Sequence, residues 1–220
     1  MPPARPFARP LLLAFLLTLA ISLLRLWGEV AGWATNASGG RFLPLGITWL
    51  VFVCGAWFGR RLADDGHPPR TRRAWLWSLL ALLTMLGVAI RGFAPLAKAE
   101  PNDATFALLR AAVLRAVAVA GIAGAAMFAV WPALARQLLV YGLLARGTVL
   151  AMTWLGKHMG WNTHYTKFGP MGIEREGIGE TLFSAGIAQI GFWVPFTIVG
   201  GVLAGSLAVG RRTVTSRGAA

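Results

Sequence analysis

The chain has 220 residues, 56% of them hydrophobic and only 13% charged, with a formal net charge of +13. That composition excludes an ordinary water-soluble domain, and the apolar residues gather in blocks long enough to cross about 30 Å of hydrocarbon. A single cysteine, Cys54, excludes an intrachain disulfide and a thiolate metal cluster.

A short stretch carrying Arg5 and Arg9 leads into the first apolar block, residues 10–27. A basic stretch before an apolar run is also how a signal peptide is built, and Val30-Ala31-Gly32 offers small residues for cleavage. The run is long, however, and Arg25 and Glu29 are unusual just before a cut, so it is read as a retained helix. The second block, residues 43–59, ends at Arg60 and Arg61. A polar loop from Asp64 to Pro69 and a basic run of Arg70, Arg72 and Arg73 introduce the third block, residues 74–92. Trp75 and Trp77 stand there where an interfacial aromatic belt belongs.

From Phe106 to Leu155 the chain stays apolar for too long to be one helix. Trp131-Pro132 divides it, because proline cannot continue a preceding helix but suits the first turn of the next. The fourth and fifth helices are thus predicted at residues 107–131 and 133–155. A polar loop at 156–181 separates them from the sixth block, residues 182–209, and a basic tail with Arg211, Arg212 and Arg217.

The expected fold is therefore all-α, one transmembrane domain spanning residues 1–220, a six-helix bundle with both termini in the cytoplasm. The charges support this threading: eleven Arg fall on the cytoplasmic side, against six Arg and Lys outside and four in the apolar blocks. With the acids included, net charge is +9 inside, 0 outside and +4 within the blocks, so topology accounts for the +13 and nucleic acid is not an expected partner. Arginine outnumbers lysine 18 to 3, and Ala and Gly abound, a coding bias of GC-rich bacteria; the expected location is a bacterial inner membrane.

Motifs of familiar chemistry are missing. The sequence holds no HExxH, GxSxG, Walker loop or CxxCH, so no cofactor or metal is expected from motifs. Asp65-Gly66 with Arg70 is similar to the opening of the CDP-alcohol phosphotransferase motif, but the later paired aspartates that chemistry needs are missing. His158 and Asn162 form the HxxxN piece of the CAAX-type membrane protease pattern without its upstream EExxxR.

Four arginines inside apolar blocks are the first candidates, because a charge at membrane depth costs about 2.5–3.5 kcal/mol on insertion scales. Arg25, Arg91 and Arg115 lie within snorkelling reach of the outer face, with Glu29 one turn beyond Arg25 as a structural ion-pair partner. Arg146 falls near the middle of its helix and is expected to be buried and paired with Glu29 or an outer-loop carboxylate. The outer loop adds His158, His164 and Glu174 as candidates for acid–base chemistry, and two histidines with one glutamate also suit a three-ligand metal site. Arg146, Arg25 and Arg115 are the candidate anion-binding residues.

Gly121 with Ala125 and Gly201 with Gly205 predict close helix packing inside the bundle, although a homo-oligomer or another membrane protein is a further partner such seams accommodate. Pro195 suggests a kink in the last helix, and Gln189 there is expected to make an interhelical hydrogen bond rather than to bind a ligand. The leading functional expectation is a non-catalytic accessory membrane protein that binds an anionic lipid headgroup or small anion at its outer face. A membrane-embedded enzyme acting on a lipid-linked substrate comes second and a small transporter third.

Overall fold

The computed structural model describes residues 8–38 and 45–210. Arg5, Arg41, Arg211, Arg212, Arg217 and the expected start of the second helix at Leu43 lie outside the described residues. The described chain is all-helical and without strands, apart from one isolated bridge between Phe168 and Ile173. Its helices are α1 (Ala8–Val30), α2 (Leu50–Asp64), α3 (Ala74–Phe93), α4 (Asp103–Val130), α5 (Pro132–His158), α6 (Ile178–Gly186) and α7 (Val194–Val209). A 3-10 turn, Ala94–Lys98, extends α3, and a π-helical stretch, Ile187–Trp193, joins α6 to α7 without a break.

Five of these stretches are long and apolar enough to cross a membrane: Ala8–Val30, Ala74–Lys98, Asp103–Val130, Pro132–His158 and Ile178–Val209. Their outward faces are apolar, with Leu13, Leu83, Leu114 and Ile122 more than half exposed, as contact with hydrocarbon requires. Only one residue, Trp131, separates α4 from α5, and Pro132 occupies the first helical turn.

The second helix differs from expectation. It begins at Leu50 and continues through Arg60 and Arg61 to Asp64, so its 15 residues extend about 22 Å. Residues 45–49 form turns instead, where Gly46 and Thr48 are poor helix formers.

What α2 lacks in length it gains in contact. It lies along α7 with glycine facing glycine: Gly55 against Gly201, and Gly59 against Gly205. A Cβ on Gly59 would stand 2.6 Å from the Gly205 Cα, so only glycine permits this approach. Gly201 and Gly205 therefore pack internally, but Gly121 and Ala125 do not: both are exposed on α4. The core formed around α2 and α7 includes Phe58, Trp131, Leu134, Leu138, Tyr141 and Val202.

The π stretch accounts for the expected kink. Pro195 has no N–H to give and its ring crowds the carbonyl four residues back, at Gly191, so the helix there shifts to the wider π register. Gly191 and Gly124 leave room for it, since a Cβ at either would stand 2.9 Å from Val117 or 3.0 Å from Pro195.

Candidate functional site

At the end of the bundle where α1 and α5 finish, glycine closes both helices. Gly32 (φ 82°) and Gly160 (φ 66°) adopt the left-handed conformation, and the amides of Trp33 and Trp161 return to the carbonyls of Gly28 and Gly156. These stops turn the chain into two segments that clasp each other. Lys167 Nζ donates to the Asn36 carbonyl at 3.2 Å, Ser38 Oγ to the Gly169 carbonyl at 2.6 Å, and Asn36 Nδ2 to the Asn162 carbonyl at 3.0 Å.

Beneath the clasp Glu29, its side chain fully buried, holds three donors. Arg25 Nε pairs with Oε1, the His164 backbone N–H reaches Oε2 at 2.8 Å, and His164 Nδ1 lies 2.5 Å from Oε1. Arg25 also donates to the Thr35 carbonyl at 2.7 Å. The carboxylate is best served by Nδ1–H, which leaves the other ring nitrogen of His164 as the acceptor. Next to it, burial pushes the Tyr165 phenol well above its ordinary range, and the Glu29 charge adds to the effect.

A cavity of about 510 Å³ opens beside this cluster. Its walls come from α1 (Ser22, Arg25), the turns before α2 (Ile47, Thr48), α5 (Arg146, Thr153), the clasping loop (His164, Lys167) and the π stretch (Gln189, Trp193). Arg25, Arg146, Lys167 and His164 line the cavity, and no Asp or Glu among the described residues does.

Arg146 is the unusual member. It sits one residue past the middle of α5 and is 4% exposed. The expected pairing with Glu29 is not what forms, because Arg25 and His164 already occupy that carboxylate. Among the described residues Arg146 makes no hydrogen bond, and its Nε is buried without a partner. Its guanidinium stands 5.0 Å from the Trp193 ring centre. A cation–π contact contributes about 0.5–2 kcal/mol, less than the ~2.5–3.5 kcal/mol cost of a charge at membrane depth. Gln189 Oε1, in the same wall, is also buried without a partner, so the expected interhelical hydrogen bond does not form.

Other candidates from the sequence fall elsewhere. Arg115 is exposed on α4, its Nε returning to the Ala111 carbonyl at 3.1 Å. His158 is exposed and stacked on Trp154, the rings 5.3 Å apart and 6° from parallel. Glu174 is exposed, and among the described residues no three His, Cys, Asp or Glu gather as metal ligands. Arg115, His158 and Glu174 all lie outside the cavity. Conversely, Trp193 was not legible as a site residue, because helical spacing around it is read at 3.6 residues per turn and the π register changes which residues share a face.

Comparison with protein-family models, curated proteins and solved structures finds no match to this chain. The functional reading rests on the site alone.

Proposed function

We propose that the chain is a six-pass protein of a bacterial inner membrane, both termini cytoplasmic, whose extracytoplasmic cavity binds an anionic lipid headgroup or small anion. The carrying observation is Arg146: a buried guanidinium that cannot lose its proton, facing a cavity without carboxylates and lacking a hydrogen-bonded partner. A phosphate entering there meets the unpaired Arg146 guanidinium, with Lys167 in the same wall, and leaves the Arg25–Glu29 pair in place. The role this supports is accessory, holding a lipid or an anion for a partner in the membrane.

The test is lipid retention. Purified protein in nanodiscs containing phosphatidylglycerol is released and examined by native mass spectrometry, with Arg146→Gln beside it. Loss of a charge-assisted contact worth about 1.5–3 kcal/mol predicts at least a tenfold drop in occupancy. Equal occupancy in the two proteins rejects the reading.

A second reading, an enzyme acting on a lipid-linked substrate, is favoured by the Glu29–His164 pair, since a carboxylate that fixes an imidazole leaves its far nitrogen able to accept a proton from a nucleophile. The same nanodiscs distinguish it: free headgroup accumulating with the parent protein and not with His164→Gln supports catalysis.

A further inference from the structure

A second cavity, about 630 Å³, lies at the other end of the same two helices. Leu11 of α1 and Gln137 and Val140 of α5 line it, together with Arg70, Trp131 and Arg136. No Asp or Glu among the described residues lines this one either. The loop after α2 is fixed over it, since Trp131 Nε1 donates to the His67 carbonyl at 2.7 Å and the Arg70 N–H to the Val130 carbonyl at 3.0 Å.

Both cavities share one seam, and the interval between them is short. Val140 of the second cavity and Arg146 of the first stand six residues apart on α5, about 9 Å of helix axis. On α1, Leu11 of the second cavity and Ser22 of the first stand eleven residues apart, about 16 Å of helix axis. The wall between is part of the apolar core, with Ala14, Phe58, Leu138 and Ala145, and holds a polar contact at its centre. Tyr141, 1% exposed, meets fully buried Thr18 with 2.9 Å between hydroxyls. The Thr18 hydroxyl spends its proton on the Ala14 carbonyl at 2.8 Å, so Tyr141 is the donor across the seam. Phe58 packs edge-on against the Tyr141 ring at 5.9 Å.

Both cavities are thus lined by arginine and by no carboxylate among the described residues, Arg25 and Arg146 of the first buried and Arg70 and Arg136 of the second exposed, with the buried Tyr141 hydroxyl between them. We propose that the α1–α5 seam is a path for phosphate-bearing anions, captured at Arg146, received near Arg136 and Arg70, and closed between by the Tyr141–Thr18 pair. This rests on the reading that the Arg146 cavity takes an anion, and adds that the anion moves on. The phosphate can be free or the headgroup of a lipid whose tails stay in the bilayer, and the experiment separates these.

The full chain is reconstituted into liposomes in two arms: uptake of radiolabelled inorganic phosphate, and dithionite quenching of fluorescent phosphatidylglycerol to follow its exchange between leaflets. Flux above protein-free vesicles in the first arm identifies free phosphate as cargo; in the second, the lipid. Tyr141→Phe keeps the ring and removes the hydrogen bond, and Thr18→Val does so from the other side; each is expected to raise the rate several-fold. Val140→Trp, which fills the second cavity, is expected to stop it. Flux that ignores all three substitutions overturns the seam as the route. Arg146-dependent binding with no flux in either arm, for the parent and Tyr141→Phe alike, overturns transport and leaves the binding reading intact, whereas absence of both overturns both.

Discussion

Glu29 and Arg146 show how differently two buried charges are accommodated one beside the other. Glu29 is fully satisfied by Arg25 and by both donors of His164, a residue 135 positions away. Removing one partner of a buried, hydrogen-bonded pair costs about 3–5 kcal/mol, because the other charge is left unmatched. Glu29→Leu is therefore expected to lower the thermal unfolding temperature and to free the clasping loop, read as faster tryptic cleavage at Lys167; unchanged cleavage would separate the ion cluster from the loop. Arg146, in contrast, has only the Trp193 face. Its depth was legible from the sequence by counting residues along the helix, but its lack of a partner was not, because which carboxylate is already engaged depends on contacts across the bundle.

At the scale of elements, proline and glycine did most of the positioning. Trp131-Pro132 divides α4 from α5 through the missing proline N–H, a local effect that the sequence displays directly. The same chemistry at Pro195 has a different outcome, since there the helix continues through a π stretch and brings Gln189 and Trp193 onto the cavity. Glycine decides how closely α2 approaches α7. Gly59→Leu would drive a side chain into the Gly205 backbone, which cannot yield as a flexible side chain would, and should cost about 1–3 kcal/mol or more of stability. Gly121→Leu, with nothing within 4 Å of its Cβ, should leave detergent-solubilised stability unchanged. Comparable losses for the two substitutions would contradict this packing.

For the whole molecule, the proposed orientation follows from the charge segregation. Arg72→Cys and Asn162→Cys, each in a Cys54→Ala background, test it with a membrane-impermeant thiol reagent on intact cells. Position 162 is expected to label and position 72 only after lysis, and the reverse pattern would invert the protein. α2 is the element on which the number of crossings depends, being 15 residues long and preceded by turns that line the cavity.

The sequence by itself determined that this chain is helical and apolar enough to cross a membrane several times, and where most of its helices break. Those properties are local: they depend on segment length against bilayer thickness, and on whether a residue has an N–H to give. Only the tertiary structure decided which faces meet. In a soluble protein the apolar stripe of a helix reveals its buried side, but in lipid the outward face is as apolar as the inward one, so sequence periodicity carries little information about rotation. Hence Arg25 and Arg115 stand at similar depth in the sequence, yet one is buried and ion-paired and the other exposed, and Arg146, legible as buried, lacks the partner expected of it.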